Sequence, residues 1–331
     1  MQKREKPPKS HRAARKYGSA KTVGFLLIPG FALMSYTAAL EALRAANLIA
    51  GQTLYRWWHV APQAKPVTAS NGVAIIPDAG VSSERDADLL FVCAGGNPAT
   101  FNDKATFAWL RRLARRGMTI GGISGGPYIL ARAGLLDGHR ATLHWEHQPA
   151  FSEDFPEIEV TPSLFEIDGN RITCSGGISA LDMMVALIER DHGHELAAAV
   201  GDWFLHTHIR EGMGPQRMDL RFRLGVTDEK LLRVLRQMET SIETPQSRGD
   251  LARIAGVSVR QLERLFRRQL GRGIHAHYSS MRLERARQLL RETTLPILDV
   301  AVATGFGSSS QFARAYGRAF GETPSHARAS A

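Results

Sequence analysis

The chain has 331 residues, 44% of them hydrophobic and 22% charged, which is ordinary for a globular protein and long enough for two domains. Its formal net charge of +10 is unevenly placed: residues 1–21 hold 8 basic and 1 acidic side chains, residues 228–331 hold 17 and 10, and the middle holds 17 and 21. Only the ends suit phosphate, which points to nucleic acid as a partner, with a solvated basic tail as the plain alternative for residues 1–21.

Residues 1–21 are polar, basic and aperiodic, the pattern of a disordered lead-in. No uninterrupted apolar run follows that would serve as a secretory signal or a membrane span, since Val23 to Leu40 is broken by Pro29 and Gly30. With only two cysteines, Cys93 and Cys174, there is no disulfide framework, and a reducing, cytoplasmic setting is expected. From Thr22 to Ile28 runs a short apolar stretch that stops at Pro29-Gly30 and suits a buried parallel strand, and Ser35 to Ala50 then has helical periodicity. Leu54 to Val60 and Val73 to Ile76 read as further strands, and Leu89 to Cys93 as another, ending in Ala94-Gly95-Gly96-Asn97. A helix over Ala105 to Arg116 and a strand over Met118 to Ile123 complete the alternation, which predicts an α/β doubly wound parallel sheet, a flavodoxin-like sandwich.

Ligands of such sheets bind beyond the carboxyl ends of the strands. Three loops qualify: Pro29-Gly30-Phe31, Gly95-Gly96-Asn97 and Ser124-Gly125-Gly126. The strand before Ser124 runs straight into a helix, Tyr128 to Ala133, so Ser124 sits on a sharp turn beside free backbone N–H groups, a place that suits a nucleophile or an anion. Gly122-Ile123-Ser124-Gly125-Gly126 also fits the G-x-S-x-G pattern of serine hydrolases. Such an enzyme needs a base within hydrogen-bond reach of the hydroxyl; His139, His144 and His147 follow, but so short a match arises readily by chance in a glycine-rich turn.

Helices over Ala180 to Asp191 and Glu195 to Thr207 close this part, and residues 210–227, with Gly212, Gly214 and Pro215, read as a linker. His192, His194, His206 and His208 lack a carboxylate or thiol at ligand spacing, so no metal is expected. Cys93 ends a buried strand and Cys174 lies in a strand-like run, which makes both inert core thiols.

The stretch from Leu251 to Gly321 says the same thing twice. Leu251-Ala252-Arg253-Ile254-Ala255-Gly256 is followed by Leu262, Leu265 and Phe266; Val300-Ala301-Val302-Ala303-Thr304-Gly305 is followed by Phe312, Ala315 and Tyr316. Each copy is a short apolar helix, a glycine turn and a second helix with core positions at i, i+3 and i+4, the helix-turn-helix pattern. With Ser258 as N-cap and Leu262, Leu265 and Phe266 inward, Arg260, Glu263, Arg264 and Arg268 face outward; the second copy presents Ser309, Ser310, Gln311 and Arg314. A helix over Met281 to Arg291, about 16 Å long, is expected to join them.

Leu262-Glu263-Arg264-Leu265-Phe266-Arg267-Arg268, Met281 to Leu290, Val300 to Phe306 and Phe320-Gly321-Glu322-Thr323-Pro324 resemble the DNA-binding domain of AraC-type transcriptional regulators. Gly126 to Thr142 resembles the PfpI-like, amidotransferase-like domain. His144-Trp145-Glu146, Phe155-Pro156-Glu157, Phe165 to Gly169 and Thr173 to Gly177 also fit the GlxA-type branch of the AraC regulators, so the resemblance spans residues 22–325. It implies a PfpI-like sensing and dimerisation domain over 22–209 and a DNA-binding domain over 228–331. The partners implied are double-stranded DNA, a small-molecule effector, RNA polymerase and a second copy of the chain, with no cofactor. By the same resemblance the outward residues of the two recognition helices are the base readers, arginine pairing with guanine and Glu263 accepting from cytosine.

Enzymes of the PfpI-like superfamily carry a cysteine at the elbow, often followed by histidine, and an acidic residue from the first loop. Here Ser124, Gly125 and, near the acidic position, Ala32 stand there, so the pocket is expected to bind without turnover. Its candidate lining is Phe31, Gly95, Gly96, Asn97, Ser124, Gly125, His144 and Trp145. Donors at Ser124 suit a carboxylate and the aromatic faces a cation, hence an amino acid or betaine-like zwitterion. Three classes stay open: a ligand-responsive activator of metabolic genes, a serine-based amidase or hydrolase fused to a DNA-binding domain, and an architectural DNA binder whose first domain only dimerises.

Overall fold

The computed structural model describes residues 19–83 and 85–329, so the expected basic lead-in lies, up to residue 18, outside the described residues. Strand β1 (Lys21–Leu27) is followed by helix α1 (Leu33–Ala50), β2 (Tyr55–Ala61), β3 (Val67–Thr68), β4 (Ala74–Ile75), β5 (Ala79–Gly80) and β6 (Leu89–Ala94). After a 3-10 turn at Pro98–Thr100 come α2 (Lys104–Arg115), β7 (Thr119–Ser124), α3 (Gly126–Arg132), β8 (Arg140–Ala141) and α4 (Gln148–Asp154). Then follow β9 (Glu159–Val160), β10 (Phe165–Asp168), β11 (Arg171–Cys174), α5 (Ser179–His192) and α6 (His194–Trp203).

Seven strands form one sheet in the order β10-β11-β7-β6-β1-β2-β5, parallel throughout except for the edge pair of β10 and β11. Side chains alternate across a strand, and the apolar runs therefore feed two cores. Val23, Phe25 and Leu27 of β1 pack with Phe91 and Cys93 under α1, α5 and α6, whereas Leu26, Leu90, Val92 and Ala94 pack with Phe107, Leu110, Tyr128 and Ile129 of α2 and α3. The expected strand Val73 to Ile76 shrinks to β4, which pairs antiparallel with β3 outside the main sheet. Ile76 is 79% exposed, so this run had no face to bury.

The remaining helices are α7 (Leu220–Leu224), α8 (Glu229–Thr240), α9 (Arg248–Ala255), α10 (Val259–Leu270), α11 (Ile274–Glu292), α12 (Ile297–Ala303), α13 (Ser309–Phe320) and α14 (Pro324–Ala329). In both motifs the turn glycine is left-handed, at φ +66° for Gly256 and +73° for Gly305. Ser258 caps α10 by accepting from Gln261 N, with the Gln261 side chain returning the bond, and Ser308 caps α13 by accepting from Gln311 N. The connecting helix has 19 residues rather than the expected eleven and spans about 28 Å. Ile274, His277 and Tyr278 add an i, i+3, i+4 stripe to its start that the polar surroundings conceal in the sequence.

Residues 210–227, expected as a linker, lie against the α/β part at several points. Buried Asp182 accepts from the Arg210 backbone at 2.9 Å and its guanidinium at 2.6 and 3.0 Å, and Gln216 Nε2 donates to Leu143 O and Ser163 O at 3.0 and 2.7 Å. The first motif has a core of its own, Leu231, Leu235, Leu251, Leu262 and Phe266. The core of the second, Leu283, Leu289, Val300, Phe312 and Tyr316, is continuous with the one beneath α2 and α3.

Candidate functional site

The carboxyl ends of β1, β6 and β7 meet where glycines let backbone approach backbone. A Cβ on Gly126 would lie 2.0 Å from Val92 O, and one on Gly122 would lie 2.5 Å from Pro127 N, so the strand-to-helix turn accepts no side chain at either position. Held between them, Ser124 adopts φ +63°, a left-handed conformation that costs a non-glycine residue on the order of 1–3 kcal/mol. That is the geometry of a nucleophile elbow, and it displays the side chain away from the strand.

Around the elbow, Gly125 N donates to Ala94 O at 3.1 Å, Gly95 abuts Ala32 N and Gly30 O, and Gly176 leaves room for both Ser124 and Ser35. Ser35 Oγ accepts from Gly177 N at 2.7 Å. Among the described residues the Ser124 hydroxyl has no hydrogen-bond partner, and no histidine stands against it. His144 gives its backbone N–H to Ser124 O at 3.2 Å, but its ring tilts onto Trp145 and lies 3.8 Å from Glu146. Burial and neighbouring His147 hold the His144 imidazole below its ordinary pKa. His147 faces the other way, with Nδ1 3.2 Å from Glu292 on α11, and His139 is beside Asp168.

The residues expected to line one pocket are thus divided. Gly95, Gly96, Asn97, Ser124, Gly125 and the backbone of His144 gather at the elbow. Phe31 does not join them as a wall: it is fully buried and meets Tyr36 edge to face at 5.6 Å, because a large apolar side chain after Gly30 gains more from the core than from the loop surface. Trp145 is 38% exposed and turns into a cleft between the α/β part and α11, where the Arg217 guanidinium covers its ring at 4.3 Å. The amide of Asn97 reaches across that boundary and donates to Arg291 O at the end of α11.

Both cysteines are free and buried. Burial pushes the Cys93 thiol far above its ordinary range and Cys174 to about 11, so neither ionises readily. Among the described residues no group of three or more potential ligands gathers as a metal site; His206 pairs with Asp182 at 2.7 Å and His194 with Glu189 at 2.9 Å.

On the recognition helices Arg260, Arg264, Arg267 and Arg268 of α10 are exposed, as are Ser309, Ser310, Gln311 and Arg314 of α13. Glu263 departs from the expected role of base reader. One of its carboxylate oxygens accepts from Ile274 N at 3.3 Å and the other lies 3.4 Å from Arg267, so the side chain caps the start of α11 instead of meeting a groove.

Residues 251–330 match the helix-turn-helix domain family and residues 21–190 match the DJ-1/PfpI family. The HTH-type transcriptional regulator GlxA of Rhizobium meliloti is 45% identical over 94% of this chain and 96% of its own length. The chain belongs to the GlxA-type branch of the AraC transcriptional regulators. The HTH-type transcriptional regulator CdhR of Pseudomonas aeruginosa is likewise 45% identical, over 92% of this chain and 90% of its own length. Among solved structures, an AraC family transcriptional regulator from Pseudomonas putida superposes with a TM-score of 0.51 at 27% identity, covering 56% of this chain and 99% of that one.

As a member of that branch the chain is a DNA-binding transcription regulator with double-stranded DNA as its partner. Among the described residues no helix is long and apolar enough to cross a membrane. Two features escaped the sequence reading. Arg267 is an exposed fourth arginine of α10, legible in its i+3 spacing from Arg264. The contacts Asn97–Arg291 and His147–Glu292 join residues far apart in the chain, and no periodicity signals them.

Proposed function

We infer that this regulator is a cytoplasmic homodimer that senses a small nitrogenous metabolite, an amino acid or betaine-like zwitterion, at the Ser124 elbow and activates metabolic genes through RNA polymerase. In this reading residues 22–209 sense and dimerise, 228–331 bind DNA, and 210–227 connect them. One observation carries it: Asn97, in the loop that abuts the elbow, holds the last turn of the helix that spaces the two recognition helices. A ligand entering beside Gly95 and Gly96 changes what Asn97 can hold, and with it the setting of α11. The effector carboxylate is received by the unpaired Ser124 hydroxyl at the elbow.

The pocket serves binding and not turnover, because a serine hydroxyl without a hydrogen-bonded base is a poor nucleophile. A thermal-shift screen of amino acids and quaternary amines on the full chain names the effector, and the hit is then measured in transcription assays with Asn97→Ala and Ser124→Ala. Both variants are expected to lose the response while basal DNA affinity stays within about threefold, since the recognition helices are untouched. An unaltered response in Asn97→Ala overturns the coupling. Hydrolysis of the hit that disappears in Ser124→Ala returns the chain to the hydrolases.

A further inference from the structure

The cleft between α4, residue 217 and α11 encloses about 1010 Å³, and nothing in the elbow reading uses it. Its floor is one face of α11, on which Met281, Arg285, Gln288 and Glu292 recur at i, i+4, i+7 and i+11. What these side chains leave unmet is of one kind. Arg285 has no hydrogen bond or ion pair among the described residues, and its neighbours Arg287 and Gln288 each bury an N–H group, Nε and Nε2, without an acceptor. A buried donor without a partner costs about 1–3 kcal/mol, so these two, beside an Arg285 with no partner of its own, call for an acceptor.

The acids of the cleft do not answer that call. Glu292 is taken by His147 at 3.2 Å, and Glu239 by Arg223 at 3.1 Å, leaving Arg217 only a looser ion pair to it at 3.9 Å. Glu146, Glu153, Glu243 and Glu284 are exposed at the rim, where water screens them. Burial, and after it the Arg217 guanidinium stacked on Trp145, disfavours the charge of Arg285, which Glu153 and Glu292 offset only in part; burial and Arg223 act on Arg217 in the same direction against Glu239. A partly desolvated Arg285 guanidinium without a partner, an Arg217 held only loosely by Glu239, and two orphaned N–H groups are the complement of a small molecule with more than one anionic oxygen group.

We propose that this cleft is a second ligand site, separate from the elbow, for a small organic polyanion of the carboxylate or phosphate class, held by Arg217, Arg285 and Gln288. Its occupant touches the α/β part through Trp145 and the helix between the two motifs through Arg285 and Gln288. It therefore ties the two halves of the chain together whether or not the elbow is filled.

Isothermal titration of the full chain with citrate and, separately, with pyrophosphate tests this, with sodium chloride adjusted to keep ionic strength constant. One probe is expected to bind with a dissociation constant below about 1 mM. The stronger probe tells carboxylate from phosphate. Arg285→Gln, which keeps a polar group in place, is expected to weaken it at least about tenfold, and Gln288→Leu to weaken it less. Arg264→Ala on the recognition helix and Ser124→Ala at the elbow are expected to leave it within about twofold. Binding that survives in Arg285→Gln, or that vanishes in Arg264→Ala because the probe sits on the DNA-binding face, overturns the proposal, as does absence of binding by both probes. Retained binding in Ser124→Ala separates this site from the effector site, so either can fail alone. Should Arg285→Gln lose its fold by circular dichroism, Gln288→Leu together with Arg217→Gln decides: unchanged affinity in both rejects the site.

Discussion

In the first helix-turn-helix motif the turn from Gly256 to Ser258 leads into a helix with four exposed arginines; in the second, the turn from Gly305 to Ser308 is one residue longer and leads into a helix with two. The supports differ as well. The first motif packs on α8 in a core of its own, and Glu263 fastens its recognition helix to the start of α11. The second shares its core with the α/β part, and its turn is bolted to α11 by Arg282, which donates to Thr304 O and Gly305 O and lies 4.2 Å over the Phe306 ring. Charge for reading DNA is concentrated where the motif stands alone, and contact with the α/β part where charge is sparse. That division suits a protein in which one motif finds the site and the other is set from the α/β part.

The largest effect comes from separating the two half-sites. Both motifs are fixed to one helix of about 28 Å, so they reach one face of the duplex in register. Five base pairs inserted between the half-sites are expected to reduce affinity to the non-specific level, about a thousandfold or more, by fluorescence anisotropy. Tolerance of the insertion would mean that α11 does not hold the motifs rigidly.

Within each motif, corresponding arginines should differ. Arg264→Ala is expected to cost about 1–3 kcal/mol on the operator and to relax preference at one base pair. Arg314→Ala in the second motif is expected to cost under about 1 kcal/mol, having fewer neighbouring arginines to support a bidentate contact. Equal losses on operator and random DNA would reduce Arg264 to a phosphate contact and remove the asymmetry in charge.

Glu263 sharpens the comparison in another way. Glu263→Ala removes the cap on α11 and should lower stability to urea by about 1 kcal/mol while leaving the rank order of bases at every operator position intact. A changed preference at a single cytosine would restore it as a reader.

Much of this architecture is written in local pattern. The apolar runs of β1, β6 and β7, the glycines at the elbow and the serine caps are each decided within a few residues, where sterics and periodicity act. Ser124 was legible because a strand running straight into a helix leaves one way to turn. What was not legible depends on partners far away in the chain. Phe31 looks like a pocket wall until Tyr36 is found against it; Glu263 looks like a reader until Ile274 N is found beneath it; Trp145 looks free until Arg217 covers it. The start of α11 was hidden because His275 and His277 dilute its apolar stripe, although only His277 faces inward.

His277 also gives the smallest and most local test of the two motifs' independence. It is 3% exposed, its ring lies 5.6 Å from Phe266 in the first motif's core, and its Nδ1 accepts from Arg272 Nε at 3.1 Å, which requires that nitrogen to be unprotonated. Burial, helped by the Arg272 charge, lowers its pKa from 6.5 to about 4. The unfolded chain thus takes up a proton near pH 6.5 that the folded chain refuses until about pH 4, and stability contributed by neutral His277 is complete above 6.5 and drains away as pH falls toward 4. His326, on α14 beside the second motif, is instead 69% exposed at its side chain. Because His59, His144 and His192 in the α/β part are also held below their ordinary range by burial, a global melt mixes several sources. Amide hydrogen exchange resolves them. Between pH 7 and pH 5, once corrected for intrinsic rate, protection across α10 and the start of α11 should fall more than across α13, and His277→Gln should abolish that difference. Parallel loss in both motifs, or a difference that persists in His277→Gln, would show that the two are one cooperative unit and that the autonomy of the first is wrong.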